Sequence, residues 1–196
     1  MTVTLASKSA ARRAVLDGAG VVFEIAESGF DEDAAKARLT GQGAPPREVA
    51  EALAEGKALK VSAGTPGLVV GADQTLELDG RVYDKADSLE AARARLKLLR
   101  GKPHSLHSAV VVARDGQVLW RETASATLTM RDFSDPFLET YLASEGPAAL
   151  GSVGCYRLEG PGAQLFSHIE GDYFAILGLP LLGLLDFLRH EGALAS

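Results

Sequence analysis

Apolar and polar positions change period several times along the chain, and each change predicts an element. Val3-Thr4-Leu5 reads as a short buried strand. Ser7-Lys8-Ser9 offers hydroxyls suited to cap a helix over 10–19, which Gly18 and Gly20 end. A strand resumes over 21–26, and the acidic tripeptide Asp31-Glu32-Asp33 reads as a turn. After a loop over 41–46, Pro46 suits the first turn of a helix reaching residue 63, with Val49, Leu53 and Gly56 on its inner face. Gly67-Leu68-Val69-Val70-Gly71-Ala72 has the uninterrupted apolar character of a fully buried strand. Asp79-Gly80, between strands over 75–78 and 81–83, is a hairpin signal, and so is Asp115-Gly116 between longer strands over 105–114 and 117–129. Ser88 caps a helix to residue 99, in which Leu89, Ala92, Leu96 and Leu99 recur at helical spacing. Ser134-Asp135-Pro136 opens another to residue 144, the glycine-rich span 151–162 is loop, 164–169 is a last strand, and Pro180 opens a closing helix. Strands and helices alternate with hairpins inserted and without internal repeats, which predicts an α/β fold on a mixed sheet.

The chain's 196 residues suit one domain, spanning 1–196, with two lobes around a cleft as the other arrangement of that length. A formal net charge of −6 opposes the phosphate backbone of DNA or RNA, so polymeric nucleic acid is not an expected partner. A small anion remains compatible, because a few local Lys and Arg outweigh the global sign inside a cleft. Cys155 is the only cysteine, so no internal disulfide forms. The first residues lack the basic flank and apolar stretch of a signal peptide, and the apolar run 176–188 is broken by Gly178, Pro180, Gly183 and Asp186. These features make a cytoplasmic protein, without a membrane partner, the expectation.

Asp73 is expected directly after the buried strand, where either a turn-forming or a functional Asp fits, and the small Gly71 and Ala72 favour a close ligand or backbone. Glu32 reads as part of a solvated acidic run unless it meets Asp73 in space. The pair would then offer hard oxygen ligands for Mg²⁺ or Mn²⁺. Lys57 lies at the edge of a helical apolar stripe, where a snorkelling lysine is the plain reading, and Lys85 follows the first hairpin. Both are also candidate point charges on phosphate. Ser7, Ser9 and Arg12 surround a strand-to-helix junction, whose N–H groups and dipole favour anions. His104, His107, His168 and His190 lack zinc spacing, and His104 and His107 read as hydrogen-bonded structural groups. Cys155 has no nearby histidine, and Gly160-Pro161-Gly162 lacks the Lys-Ser/Thr of a phosphate-binding Walker loop.

These residues together resemble the Maf family of nucleotide pyrophosphatases. The resemblance covers almost the whole chain: Leu5-Ala-Ser-Lys-Ser9 with Arg12 and Phe23, Phe30-Asp-Glu32, Ala54-Glu-Gly-Lys57-Ala, Gly71-Ala-Asp73 and Lys85. It continues through Leu99-Arg-Gly101 with His104, Glu159-Gly-Pro-Gly162, Ile169-Glu-Gly-Asp172 and Gly178-Leu-Pro180. It implies an elongated α/β fold with a mixed twisted sheet and flanking helices, related to house-cleaning inosine triphosphate pyrophosphatases and usually a homodimer. It implies a metal-dependent cut of a nucleoside triphosphate between its α- and β-phosphates. Asp73 matches the family's catalytic aspartate, cast as proton acceptor for the attacking water, and Glu32 a second essential acid that helps hold metal. Lys57 and Lys85 match phosphate-contacting lysines, and Ser7 and Arg12 the anion-binding first loop.

Three positions separate the family's subgroups and here read Ala11, Gln74 and Glu159. Members acting on dTTP and UTP usually carry Arg, Thr and Gln there; members acting on 7-methyl-GTP carry Trp, Gln and Glu. Two of the three positions match the second subgroup. Guanine presents two adjacent donors that a carboxylate accepts together, and N7-methylation adds a positive charge that Glu159 also favours. Ala11 departs from both patterns, removing a stacking contact on the base. Ala10 and Ala86 stand where the family usually has proline. The implied activity is therefore 7-methyl-GTP pyrophosphatase, with dTTP/UTP hydrolysis, or a non-catalytic nucleotide-binding regulator of cell division, as the alternatives.

Overall fold

The computed structural model describes residues 1–195 and is built on one mixed sheet of seven strands. The strands are β1 (Val3–Leu5), β2 (Glu24–Ile25), β3 (Leu68–Leu78), β4 (Arg81–Tyr83), β5 (Pro103–Arg114), β6 (Gln117–Met130) and β7 (Phe166–Glu170). Their order is β2-β1-β3-β5-β6-β7, with β4 also paired to β3. The helices are α1 (Ala10–Gly18), α2 (Glu32–Gly41), α3 (Pro46–Ser62), α4 (Leu89–Leu99), α5 (Asp135–Glu145), α6 (Tyr173–Ile176) and α7 (Leu181–His190). Among the described residues no helix is long and apolar enough to cross a membrane.

The hairpins form where Asp-Gly predicts them. Asp79 and Gly80 have φ of 52° and 74°, and Asp115 and Gly116 of 54° and 74°, the two consecutive positive values that match the turn to strand twist. Ser9, Ser88 and Ser134 cap α1, α4 and α5 by accepting from the amides of Arg12, Ala91 and Phe137.

The longest helix, α3, turns Val49, Ala50, Leu53, Ala54, Lys57, Ala58 and Val61 toward the sheet. Its small residues let it descend onto β3. A Cβ on Gly71 would lie 2.3 Å from the Ala54 carbonyl oxygen and 2.6 Å from the Ala58 nitrogen, so only glycine admits this approach. Helix backbone, not a ligand, fills the space that Gly71 leaves.

One edge of β3 pairs with β5 along almost its whole length. The other edge is shared: β1 pairs in parallel with Leu68–Val70, and β4 pairs antiparallel with Leu76–Leu78. Between them residues 71–75 have no strand partner on that edge. β1 makes its last link when the Ala6 amide donates to the Val70 carbonyl at 2.8 Å, and the chain then turns away into Ser7. The gap falls where the sheet changes from parallel to antiparallel pairing, the kind of interruption at which α/β sheets open a crevice.

Several boundaries differ from those the pattern predicts. Asp73 lies in the middle of the eleven-residue β3 rather than after a strand's end, because pairing with β5 carries the strand on through polar positions to the hairpin. The acidic tripeptide is the start of a helix: Asp31 accepts from the Ala34 amide as N-cap, and Glu32 and Asp33 occupy the first turn, where the helix dipole favours acids. The strand over 21–26 shrinks to Glu24–Ile25. Part of the glycine-rich span winds into the 3₁₀ turns Gly146–Gly151 and Pro161–Leu165, and α6 intervenes before the closing helix.

Candidate active site

The gap on the edge of β3 gathers most of the candidate polar residues. Asp73 faces α3, whose Lys57 Nζ lies 2.5 Å from Asp73 Oδ1 and 2.8 Å from Glu32 Oε2. The same ammonium is 3.5 Å from the Ala72 carbonyl oxygen. Lys57 therefore does not snorkel: its side chain is 6% exposed and its charge is matched by two carboxylates from different elements. Glu32, on the N-terminal turn of α2, keeps 44% of its side chain exposed, which leaves oxygen free for a ligand.

The opposite wall comes from the β1–α1 loop. Arg12, nearly fully buried, donates from Nε to the Gly178 carbonyl at 2.8 Å and from a terminal nitrogen to Ser7 Oγ at 3.2 Å. The Ser9 amide donates to Ser7 Oγ at 3.2 Å, which curls the loop inward, and Ser9 Oγ accepts from the Arg12 amide. Burial lowers the Arg12 pKa, and the nearby charges of Asp73 and Glu32 oppose that effect.

Lys85, two residues beyond β4, lies within electrostatic reach of these groups. Its surface is open to solvent, yet the surrounding protein strips enough water to lower its pKa. The positive charges of Arg12 and Lys57 push the same way, while Asp73 and Glu32 push back. Three cations and two carboxylates from five segments thus share one electrostatic neighbourhood. Such an arrangement can hold a polyanion and direct a polar group at it.

Lys36, which no sequence pattern singles out, belongs to this neighbourhood as well. It sits one turn beyond Glu32 on α2 and pairs with Asp84. Burial works against its charge, but the hydrogen bond and charge of Asp84, with Asp73 and Asp33, prevail and raise its pKa. The pairing crosses 48 residues of sequence, so only the fold reveals it.

The three subgroup-marking positions divide. Ala11 and Glu159 line a cavity of about 500 Å³ between α1 and α6–α7, with Ala14, Phe174, Leu177 and Leu185 among its apolar walls. Ala11 is the chain neighbour of Arg12, but none of Arg12, Lys57, Lys85, Asp73 and Glu32 lines this cavity. Gln74 points away from Lys57. Its amide nitrogen lies 2.9 Å from Ser108 Oγ and 3.1 and 3.0 Å from the Ala175 and Ile176 carbonyls, which fixes α6 and the cavity wall it carries.

Outside the gap, His104 and His107 are structural. His104 Nε2 meets the buried Tyr156 hydroxyl at 2.7 Å, and His107 bridges Glu77 and Ser125 at 2.7 and 2.8 Å. Cys155 is buried. Among the described residues no three His, Cys, Asp or Glu side chains converge as a ready-made metal cluster.

Comparison with known proteins places the whole chain in a family. Residues 2–191 match the profile of the family described as Maf-like protein. The chain is 62% identical over 192 residues to a nucleoside triphosphate pyrophosphatase of Caulobacter vibrioides, covering 98% of this chain and 96% of that one. It is 51% identical over 194 residues to a 7-methyl-GTP pyrophosphatase of Brucella abortus, covering 97% and 98% of the two chains. A 7-methyl-GTP pyrophosphatase of Rhizobium meliloti is 49% identical over 191 residues, covering 97% of this chain and 96% of that one. With nearly its entire length matched by the profile and by relatives of about the same size, this chain belongs to the Maf family.

Proposed function

We propose that this protein is a nucleoside triphosphate pyrophosphatase that releases pyrophosphate and a monophosphate, with 7-methyl-GTP as its preferred substrate. The observation that carries the reaction is the convergence of Asp73, Glu32 and Lys57, opposite Arg12 and beside Lys85, at a gap in the sheet edge. The triphosphate lies along the gap, its charge offset by Lys85, Lys57 and Arg12, with Ser7, Ser9 and the first amides of α1 as further donors. Asp73 accepts a proton from a water aimed at the α-phosphorus. The new bond joins the water oxygen to phosphorus, and the bond to the bridging α,β-oxygen breaks. The electron pair of that bond leaves with pyrophosphate, which the cations stabilise. Most of the rate enhancement in such a site comes from positioning and charge rather than from a covalent step.

Glu32 and Asp73 suit a divalent cation, Mg²⁺ or Mn²⁺. The two carboxylates are brought together around the Lys57 ammonium, and with phosphate oxygens and water they form a donor set these ions accept. The ion would neutralise triphosphate charge and acidify a bound water. Chelation is expected to abolish pyrophosphate release, and added Mg²⁺ or Mn²⁺ to restore it. Activity that survives exhaustive chelation removes the metal from the proposal.

The base reading rests on the apolar cavity with Glu159 on its lining. A carboxylate beside apolar walls suits a flat cationic purine better than a neutral pyrimidine, whose single donor sits between acceptors. The deciding experiment compares pyrophosphate release from 7-methyl-GTP, GTP, dTTP and UTP side by side. The expected order places 7-methyl-GTP first, and an equal or faster rate with dTTP overturns the base assignment. Glu159→Gln is expected to narrow the preference for 7-methyl-GTP over dTTP.

A further inference from the structure

Helix α2 is unusual in this fold because none of its residues is buried and its principal neighbour is α3 alone. Yet it carries Glu32, which the proposed reaction needs in place. Two features attach it. Upstream, the Phe30 ring rests over Gly56 of α3, where a Cβ would lie 2.4 to 2.8 Å from three ring carbons. Downstream, Lys36 pairs with Asp84 in the segment between β4 and Lys85. Glu32 and Lys36 are four residues apart and so share one face of the helix. One pairs with Lys57 on α3 and the other with Asp84, just beyond β4. The Asp84 end is anchored: Arg95 of α4 donates to the Asp84 carbonyl at 2.9 Å and to the Val153 carbonyl at 2.8 Å, and stacks over Tyr83.

We propose that Lys36 is a positioning residue: through Asp84 it straps the weakly packed α2 to the segment just beyond β4 and so keeps Glu32 at Lys57. The strap has a fixed end at Asp84 and a movable end at α2. Releasing it lowers the fraction of molecules in which Glu32 stands ready, which reads as weaker apparent substrate binding rather than slower chemistry once substrate is seated. The proposal rests on the reading of Glu32 as a site residue.

The test compares wild-type protein with Lys36→Met, Lys36→Arg, Glu32→Gln and the Glu32→Gln/Lys36→Met double variant. In Lys36→Met, amide exchange over residues 33–41 accelerates in the nucleotide-free protein, while the melting temperature moves by less than about 2 °C because no core contact is lost. The KM for 7-methyl-GTP rises roughly two- to fivefold with kcat held within about twofold, in keeping with an ion pair whose Asp84 end is exposed. Lys36→Arg restores both. In the Glu32→Gln background, Lys36→Met adds little to KM, because the strap acts through Glu32. Unchanged exchange over α2 in Lys36→Met overturns the strap, and that measurement needs no substrate, so it stands whatever nucleotide the enzyme takes. Accelerated exchange with wild-type KM shows that the strap does not serve the reaction and overturns the proposal, as does an equal KM increase in both backgrounds. A fully active Glu32→Gln instead removes Glu32 from the site, and the positioning role of Lys36 falls with it.

Discussion

Lys57 Nζ lies 2.5 Å from Asp73 Oδ1, and this contact joins the middle of a helix to the middle of a strand at the one stretch where β3 has an unpaired edge. The lysine also holds Glu32, so one ammonium is shared by two carboxylates and the trio keeps a net negative charge. Asp73→Asn keeps the shape of the side chain and leaves Lys57 paired with Glu32, so the fold is expected to persist while pyrophosphate release falls by at least about 10²-fold. Lys57→Met removes the shared counter-charge and leaves Asp73 buried without it, costing about 2–3 kcal/mol of stability as well as activity. Steady-state rates paired with urea denaturation separate the two effects. Wild-type turnover in Asp73→Asn would take that carboxylate out of the chemistry.

Gly71 is what permits the contact. An added methyl group would press on the Ala54 carbonyl and the Ala58 amide, both backbone atoms that no rotamer change relieves. Gly71→Ala is therefore expected to lift α3 off β3, cost about 2–3 kcal/mol, and reduce activity by carrying Lys57 away from Asp73. Gly64→Ala is the control: no atom lies within 4 Å of the point its methyl group would occupy, and a change within about 0.5 kcal/mol is expected. Equal stability of the two variants, measured by urea midpoint, would show that α3 tolerates the shift.

The parts of the fold that are legible in sequence are those governed by local chemistry. Asp79-Gly80 and Asp115-Gly116 turn because consecutive positive φ values suit those residues, and Ser9, Ser88 and Ser134 cap because their hydroxyls reach an amide three residues on. Asp73 and Lys57 stand out as candidates from their places in the sequence pattern, and the family resemblance adds their roles, but the true position of Asp73 is not legible, since the extension of β3 past Ala72 depends on pairing with β5 more than thirty residues away. Glu32 reads as solvated because a run of acids carries the same signal at a turn and at a helix N-terminus. Lys36 leaves no trace at all, its partner being set by tertiary placement. Gln74 is legible as a subgroup marker, yet its contacts with α6 reveal support for a cavity wall rather than a direct approach to the phosphates.

His104 provides a pH dependence separate from catalysis. Burial holds its pKa down at about 4, below the ordinary value of 6.5, and Nδ1 has no hydrogen-bond partner while Nε2 meets Tyr156. A group whose folded pKa is depressed contributes stability above its unfolded pKa and loses it as pH falls toward the folded value. The window is thus from pH 6.5 down to about 4. Between pH 7.5 and 5 the folded state is expected to lose about 2 kcal/mol through this group. His104→Gln, which cannot take up a proton there, should be less stable at pH 7.5 but show a flatter decline. Parallel urea titrations at the two pH values measure the slope, and identical slopes in both proteins would assign the loss to other groups.

Ala11 tests the base assignment from the opposite direction to Glu159. The cavity it lines is apolar and spacious, at about 500 Å³, and lies next to Arg12 in the chain. If the base enters there, its faces meet aliphatic walls and Phe174, and little at Ala11 itself. Ala11→Trp introduces an indole at the lip of the cavity, able to stack on a cationic base at a gain of about 0.5–2 kcal/mol, which corresponds to roughly two- to thirtyfold. The gain depends on charge, so 7-methyl-GTP should benefit more than GTP, and the ratio of their kcat/KM values should rise by several-fold. Combining Ala11→Trp with Glu159→Gln should return part of that rise, since the carboxylate favours the same positive charge. A tryptophan that lowers kcat/KM for both guanine nucleotides alike would mean that it blocks the cavity rather than lining it, and an unchanged ratio with undiminished rates would place the base elsewhere.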